Sequence, residues 1–515
     1  MKVGAWIDSV ERVGGDRDAI RMDTRSVNYA ELADLSRAFV RELTSQGAAQ
    51  GDVIAVLAPP SIVGVALIHA ILDRGWVLLP LNARLTAAER REALESSGAR
   101  FLVVAPAERD SGQALAREVG CGLWVLGADG WGDATVEVRL TPSGARAADF
   151  DERRNRRRSE EAALLLRTSG TSGRPKSAIL GLDQLIASAV GSAELLGSAA
   201  TDRWLLCMPL FHIGGLSILI RAALAGATVD LEKRFDEERV VAKIESGSIT
   251  RVSFVATMLE RVLALRGDQR APESLELILL GGGPARADLL ERAERLGYPV
   301  APTYGLTEAA SQVATRPPRS TPPRLGTGEV DRSGGLEALG GVALRIVDDA
   351  GQVLPPEQEG LIEVNGPTVM RGYLDDPDAT ARTLRGGWLS TGDIGRLSPA
   401  GHLRVIDRRT DLILSGGENV YPAEIESVLE SHPTVLEAGV VGIPDERFGA
   451  RPVAYVVLDD SAGREVDNRI EVLAGYCRER LAAFKCPVRI EVVSALPRNA
   501  TGKLLRRALG RHGQN

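Results

Sequence analysis

A loop rich in hydroxyl groups and glycines follows an apolar segment at residues 164–166. The loop reads Thr168-Ser-Gly-Thr-Ser-Gly-Arg-Pro-Lys176. Glycines let backbone amides approach phosphate oxygens, the hydroxyls add hydrogen-bond donors, and the lysine supplies a positive charge. A Walker loop needs glycine directly before its lysine, whereas Pro175 stands there in this chain. The segment therefore predicts a phosphate-binding loop of another kind, with a plain surface turn as the alternative.

Lysine is rare in this chain, which makes two of its lysines informative. It occurs only at positions 2, 176, 233, 243, 485 and 503, and every other basic residue is arginine or histidine. Lys176 and Lys503 both stand in glycine-containing motifs. Because arginine serves as the general positive charge elsewhere, these lysines indicate a need for a compact ammonium group on a flexible stem. The alternative for Lys503 is a solvated side chain.

Two carboxylates follow glycine-containing turns. Glu308 comes directly after Thr307, so a carboxylate and a hydroxyl stand together, and such oxygen ligands suit Mg²⁺. Asp393 follows Gly392 and could accept two hydrogen bonds from ribose hydroxyls. The alternatives are a charge at a helix N-terminus for Glu308 and a turn-capping role for Asp393.

These motifs, taken in chain order, resemble those of the adenylate-forming superfamily, which includes acyl-CoA synthetases, luciferases and peptide-synthetase adenylation domains. The landmarks after the loop are Tyr304–Glu308 (YGLTE), Ser390–Asp393 (STGD), Asp407–Asp411 (DRRTD), Ser415–Asn419 (SGGEN) and Pro497–Lys503 (PRNATGK). The resemblance spans nearly the whole chain. It implies an enzyme that uses ATP, Mg²⁺ and CoA on a small-molecule carboxylic acid, and homodimers are common among its relatives.

The resemblance also implies roles for individual residues. The ATP-binding set would be Thr168, Ser169, Gly170, Thr171, Ser172, Gly173, Lys176, Gly282, Tyr304, Gly305, Thr307, Asp393 and Arg408. Within it, Asp393 and Arg408 would hold the ribose, and Tyr304 would stack on adenine unless it is simply a buried core tyrosine. Glu308 would hold the metal ion, and Lys503 would bridge the attacking carboxylate and the phosphate.

The family mechanism implies a rotating C-terminal domain. Thr410 would be the hinge, although many relatives carry Asp or Lys there. After rotation, Gly416 and Gly417 would form a narrow path for the CoA thiol, with a plain turn as the alternative.

The expected acyl pocket contains His212, Arg221, Gly281, Gly283 and Gln312. The stretch 208–221 resembles that of o-succinylbenzoate–CoA ligases of menaquinone biosynthesis, which carry a basic residue nine positions after the motif histidine. Here that residue is Arg221, which would bind the second carboxylate of the substrate or else extend to solvent from a helix end. His212 would close the wall of the acyl site, or pack as a core histidine. Gly214 replaces a serine found in many such ligases, and another aryl or fatty acyl-CoA synthetase is the alternative function.

The segments that must position these residues predict an α/β fold. Apolar runs at 53–57, 77–81 and 101–104 alternate with helix-length segments such as 62–72, which is typical of parallel βα units. We expect a large N-terminal domain (1–409) of parallel βα subdomains plus a β-rich subdomain. A small α+β domain (410–515) would follow. Residues 131–160 are expected to form a polar linker.

Composition limits the possible classes of function. The chain has 515 residues, 62 basic and 69 acidic side chains and a net charge of −7. That balance gives no general attraction to nucleic acid or anionic membranes. Its four cysteines are far apart in sequence, and its first residues lack the apolar core of a signal peptide. We therefore expect a cytoplasmic protein without nucleic-acid or membrane partners.

Overall fold

Four β-sheets and the helices packed on them make up the described part of the chain. The computed structural model describes residues 4–126, 162–169, 175–283, 285, 287–318, 335–407, 413–459, 466–497, 504 and 506–509. Up to residue 407 the strands are β1 (Asp18–Met22), β2 (Arg25–Asn28), β3 (Val53–Leu57), β4 (Val77–Pro80), β5 (Ala99–Val104), β6 (Gly122–Val125), β7 (Leu164–Ser169), β8 (Pro175–Leu180), β9 (Arg203–Leu206), β10 (Thr228–Leu231), β11 (Arg251–Phe254), β12 (Leu277–Leu280), β13 (Val300–Leu306), β14 (Ser311–Thr315), β15 (Glu337–Ala338), β16 (Ala343–Val347), β17 (Gly360–Asn365), β18 (Gly372–Tyr373), β19 (Leu384–Arg385), β20 (Trp388–Leu397) and β21 (Leu403–Asp407).

The helices of the same region connect these strands. They are α1 (Trp6–Gly14), α2 (Tyr29–Ser45), α3 (Ile62–Arg74), α4 (Ala87–Ser97), α5 (Arg109–Val119), α6 (Leu182–Leu196), α7 (Ile213–Ala225), α8 (Glu237–Glu245), α9 (Ala256–Arg266), α10 (Ala287–Arg295) and α11 (Pro377–Thr383). Single 3₁₀ turns lie at Pro106–Glu108 and Thr307–Ala309.

The nine-stranded sheet places most of the candidate acyl-pocket residues near one edge. Its strand order is β15-β14-β13-β12-β11-β9-β10-β1-β2, and the run from β13 to β1 is parallel. Parallel strands with helical crossovers bring their carboxyl ends to the same edge, where ligands of α/β folds bind. His212 follows β9, the glycines 281–283 follow β12, and Glu308 follows β13. The order of strands therefore brings separate sequence motifs together.

A seven-stranded sheet carries the predicted βα units of the first hundred residues. Its order is β18-β8-β7-β4-β3-β5-β6, with β4, β3, β5 and β6 parallel to one another. Helix α3 is apolar on all faces and buried; Ser61 caps its start, and Gly75 (φ 66°) ends it in the left-handed conformation. These end signals explain why the helix could be predicted correctly from the sequence. The predictions at 53–57, 62–72, 77–81 and 101–104 are confirmed.

A third, antiparallel sheet confirms the predicted β-rich subdomain. Its order is β16-β17-β20-β19, with β21 on β20. Asp393 lies in β20. The long strand β20 thus carries the STGD motif at the point where its pairing with β17 shifts register, between Ser390 and Ile394.

The C-terminal residues form an α+β arrangement with its own core, as predicted. The elements are β22 (Ile413–Ser415), β23 (Glu418–Val420), α12 (Pro422–Glu430), β24 (Val435–Asp445), β25 (Gly449–Leu458), α13 (Val466–Arg480), β26 (Arg489–Val492) and α14 (Arg506–Leu509). Strands β23-β22-β25-β24 form one sheet, with β26 parallel to β25. Side chains such as Val440, Val456 and Leu473 fill the core.

Contacts divide the chain into two compact units. One contains Met1–Ala83, Leu94–Leu166 and Ala178–Ile406, and the other contains Arg84–Ala93, Arg167–Ser177 and Asp407–Asn515. The predicted boundary at residue 409 stays a prediction, as does rotation about Thr410. Among the residues that the structure describes, no helix has the length and hydropathy needed to cross a bilayer.

Candidate active site

A tight hairpin holds Thr307 and Glu308 at the carboxyl end of β13. Strand β13 pairs antiparallel with β14, and the register shifts between Tyr304 and Gly305. A Cβ atom at Gly305 would lie 1.8 Å from the carbonyl oxygen of Ser311, so this position accepts only glycine. Ser311 itself has a positive φ of 105°. Strained backbone of this kind clusters at functional sites, and here it fixes the direction of the Glu308 side chain.

Glu308 is held by a tyrosine that the sequence motifs did not single out. The Tyr373 hydroxyl donates a hydrogen bond of 2.9 Å to Glu308 Oε1, and the Glu308 carboxylate is almost fully buried. Strand β18 places Tyr373 there by pairing with β8 (Tyr373 with Ala178). Among the described residues, no hydrogen bond or ion pair reaches Glu308 Oε2. One bound and one available oxygen fit a carboxylate that takes Mg²⁺ together with substrate phosphates.

The Tyr373→Phe substitution is expected to weaken magnesium binding specifically. It leaves Glu308 without its hydrogen bond, so the carboxylate can rotate away from the metal position. A hydrogen bond to a charged group contributes about 1.5–3 kcal/mol, and with partial replacement by water we expect the Mg²⁺ concentration for half-maximal adenylation to rise about threefold to tenfold. Measuring the Mg²⁺ dependence of pyrophosphate release, and Mn²⁺ binding by electron paramagnetic resonance, tests this.

The matched control for that substitution is Tyr298→Phe. Tyr298 is also a buried tyrosine, and its hydroxyl donates to the Gln269 carbonyl at 3.4 Å. It should leave the Mg²⁺ dependence unchanged. An unchanged dependence in Tyr373→Phe as well would show that the hydroxyl does not orient the metal ligand.

The residues predicted to bind adenine and ribose contact each other. The Tyr304 hydroxyl donates to Asp393 Oδ2 at 2.6 Å. The Tyr304 side chain is 2% exposed, so it packs as a buried tyrosine, and its role toward adenine stays a prediction. The Asp393 backbone N–H donates to Thr391 Oγ1 at 3.1 Å, which orients the turn. Tyr304 therefore positions the carboxylate that is predicted to hold the ribose.

Helix α7 begins at the predicted acyl pocket. His212 is its N-cap residue, and the His212 ring lies 4.7 Å from that of Phe211, tilted by 58°. Gly214 has room for a side chain, since a Cβ atom there would lie 3.5 Å from Met208 Cε. The serine found in many similar ligases is therefore not excluded sterically. The helix is apolar apart from Ser217 and Arg221, and both of these are buried with it.

Arg221 is a buried guanidinium that has no acidic partner among the residues that the structure describes. It is 6% exposed, so it does not extend to solvent as the alternative interpretation required. Its Nη1 donates to Gln312 Oε1 at 3.2 Å, and within the described part of the chain its Nε has no hydrogen-bond partner. Gln312 is fixed in turn, because its Nε2 donates to Thr315 Oγ1 at 3.0 Å. Two of the five residues predicted for the acyl pocket thus form one buried polar pair.

The electrostatic environment of Arg221 is unfavourable to its charge. Burial, together with the nearby positive charge of Arg251, lowers its pKa to about 10. No carboxylate of the described residues forms an ion pair with it. A buried charge is costly unless it is paired. The site is therefore suited to an anionic ligand group.

The other predicted site residues are placed only in part. Gly281 follows β12 and donates its N–H to the Phe254 carbonyl, and Gly282 has a φ of 79°. Gly416 and Gly417 form the turn between β22 and β23, with φ values of 58° and 85°. Thr168 is buried and Lys176 is half-buried. Outside the described residues lie Gly170, Thr171, Ser172, Gly173, Arg408, Thr410, Lys503 and the side chain of Ser169.

Comparison with known proteins gives two matching family models. The model described as AMP-binding enzyme matches residues 7–374, and the model described as AMP-binding enzyme C-terminal domain matches residues 424–503. Together they cover most of the chain, and their order agrees with the order of the motifs.

Curated relatives and solved structures match along the full length. A 2-succinylbenzoate–CoA ligase of Geobacillus kaustophilus is 41% identical over 98% of this chain and 97% of its own. The o-succinylbenzoate CoA synthetase of Bacillus subtilis, a double mutant bound to its product analogue OSB-NCoA, is similar with a TM-score of 0.84 and 35% identity, covering 99% and 98% of the two chains. The same enzyme in complex with ATP and magnesium ion gives a TM-score of 0.65 and 37% identity, covering 98% and 99%.

Proposed function

Because the chain belongs to the AMP-binding enzyme family, we propose that it is an AMP-forming acid–CoA ligase whose substrate is 2-succinylbenzoate. The product would be the CoA thioester used in menaquinone biosynthesis. Full-length identity of 41% to a ligase of that name supports the proposal. The single observation that carries it is Arg221, a buried cation with no acidic partner among the described residues.

The chemistry of Arg221 distinguishes a dicarboxylate from a monocarboxylate. One carboxylate of the substrate must be free to react, so a second one is needed to pair with the guanidinium. A bidentate arginine–carboxylate contact provides both charge neutralisation and orientation. A fatty acid or a simple aromatic acid has no second carboxylate, so its complex would contain an unpaired buried guanidinium. The free-energy cost of that charge would weaken its binding.

In the first half-reaction, a substrate carboxylate oxygen attacks the α-phosphorus of ATP. The new P–O bond forms as the bond to pyrophosphate breaks, and an acyl-adenylate results. The loop 168–176 would hold the phosphates, and Asp393, oriented by Tyr304, would hold the ribose. Glu308 would hold Mg²⁺, which neutralises charge on phosphate oxygens. Lys503 would stabilise the charge that develops on the transferring group.

In the second half-reaction, the CoA sulfur attacks the acyl carbonyl carbon. The thiol loses its proton, the carbon–oxygen bond to the phosphate breaks, and AMP leaves. The glycines 416 and 417 would form the path for the thiol. Rotation about Thr410 would withdraw Lys503 and bring these glycines to the site, so that one chain serves both steps.

A cytoplasmic location is part of the proposal. All four cysteines are free thiols, and three of them are buried. Free thiols persist in a reducing compartment.

The test is pyrophosphate release with a panel of acids. We expect 2-succinylbenzoate to give a kcat/KM at least tenfold above those of benzoate, coumarate and octanoate, with AMP and the CoA thioester formed only when CoA is present. Charged interactions that are buried and hydrogen-bonded discriminate by at least this factor. Equal or better use of a monocarboxylate would be consistent with an acyl-CoA ligase but would contradict 2-succinylbenzoate as its preferred substrate.

A further inference from the structure

The indole ring of Trp204 has two guanidinium groups within cation–π distance. The Arg221 Cζ is 5.0 Å from the centre of the ring, and the Arg251 Cζ is 5.9 Å from it. Trp204 is 3% exposed and lies in β9, directly beside Arg251 of the neighbouring parallel strand β11. Cations at this distance from an indole are attracted to it, most strongly where water is excluded. The ring therefore stabilises two positive charges that would otherwise repel each other.

Arg251 is anchored and cannot follow a movement of Arg221. Its Nε forms an ion pair of 2.8 Å with Asp202. Its Nη1 also donates to the carbonyls of Leu196 and Gly197, which end helix α6. Asp202 is buried with it. Arg251 thus keeps a fixed position beside Trp204 and acts as a fixed positive charge near Arg221.

Arg221 has space in which to move. A cavity of about 400 Å³ lies between helices α6 and α7, and its lining includes Trp204, Arg221, Leu224 and Arg251. The only hydrogen bond of the Arg221 guanidinium within the described residues is the one to Gln312. A long side chain with one neutral hydrogen bond beside an open cavity has several accessible rotamers. The contact with the indole is what selects the rotamer that reaches Gln312.

We propose that Trp204 is a positioning residue that fixes Arg221 toward the acyl pocket, and that it sets the selectivity for a dicarboxylate substrate. Anchored Arg251 would prevent Arg221 from turning into the cavity, because the second positive charge repels it there. The inference rests on the proposed function, since it requires Arg221 to bind the second carboxylate. Trp204 would act through Arg221, without contacting the substrate itself.

The test uses Trp204→Leu and three substrates. These are 2-succinylbenzoate and two analogues, each with one of its carboxylates replaced by hydrogen. We expect kcat/KM for 2-succinylbenzoate to fall about tenfold to thirtyfold, mainly through KM, because the lost cation–π contact is desolvated. The analogue that still reacts should change by less than about threefold, since it does not use the Arg221 contact. Trp204→Phe keeps an aromatic face and should restore most of the selectivity.

Two further variants separate positioning from general damage. Trp388→Leu removes another tryptophan that stacks on an arginine, Arg345, at 4.1 Å, and should leave the selectivity unchanged. In an Arg221→Met background, Trp204→Leu should cause no additional loss of selectivity. If Trp204→Leu fails to fold, Trp204→Phe still tests the proposal. The smaller ring makes a weaker cation–π contact, so kcat/KM for 2-succinylbenzoate should fall about threefold.

The outcomes are distinguishable. Equal losses for 2-succinylbenzoate and the reactive analogue, additive losses with Arg221→Met, or unchanged selectivity would overturn the positioning role while leaving the proposed function intact. A wild-type enzyme that does not distinguish the dicarboxylate from its analogues would overturn the proposed function and the inference together.

Discussion

The Lys503→Ala enzyme is expected to lose adenylation while retaining thioester formation from supplied acyl-adenylate. A positive charge on the transferring phosphoryl group acts only in the first half-reaction, and removing such a group reduces rates by about 10²–10⁴-fold. We expect pyrophosphate release in single-turnover experiments to fall by about 10³-fold. Release of AMP from synthetic acyl-adenylate and CoA should change by less than about threefold, since the proposed rotation would have withdrawn Lys503 from the site by then.

The control for this variant is Lys233→Ala. Lys233 is an exposed lysine in the chain segment between β10 and α8, and neither half-reaction should change when it is removed. Comparable losses in both half-reactions of Lys503→Ala would contradict alternation of the C-terminal domain. Unchanged adenylation would remove Lys503 from the mechanism.

The Arg221→Met enzyme is expected to lose its use of 2-succinylbenzoate. Methionine keeps the apolar stem and removes the guanidinium, so the second carboxylate enters a buried pocket without a partner. Truncating one member of a buried, hydrogen-bonded charge pair costs about 2–5 kcal/mol, which predicts a fall in kcat/KM of about 10²-fold or more. The KM for ATP should stay within about twofold, because Arg221 is predicted to contact the acid and not the nucleotide.

Arg266→Met is the matched control for this second variant. Arg266 is buried to the same 6% exposure and also stacks on an aromatic ring, that of Tyr298 at 5.7 Å. It lies at the end of α9 and is not among the residues predicted for the acyl pocket. Its loss should leave the choice of acid unchanged, whatever it does to stability. A similar loss of 2-succinylbenzoate use in both variants would mean that a buried arginine is needed only for folding.

The elements of the fold could be predicted where the chain marks their ends. Helix α3 lies between Ser61 and Gly75, and each flanking strand is a short apolar run, so pattern and end signals agree. The α+β character of the last hundred residues followed from the same kind of evidence. The pairing of strands could not be obtained this way, because β8 contacts β18 from almost 200 residues further along the chain.

The candidate site was predictable as a set of residues but not as an arrangement. Motifs identified Glu308 and Asp393, whereas Tyr373 and Trp204 belong to unremarkable strand sequences. Their importance comes from contacts: a hydroxyl on Glu308 and an indole face on Arg221. The burial of Arg221 was the decisive uncertainty, since a helix-end arginine can equally extend to water. Only packing of α7 shows that it does not.

The most direct test of the account is a cycle that couples Arg221 to the second carboxylate. The kcat/KM for pyrophosphate release is measured for wild type and Arg221→Met, each with 2-succinylbenzoate and with the reactive analogue that lacks one carboxylate. We predict that kcat/KM for the dicarboxylate exceeds that for the analogue by at least about tenfold in wild type. This preference should disappear in the variant. A preference of the same size in both enzymes would contradict the assignment of Arg221, and no preference in either would contradict the proposed substrate.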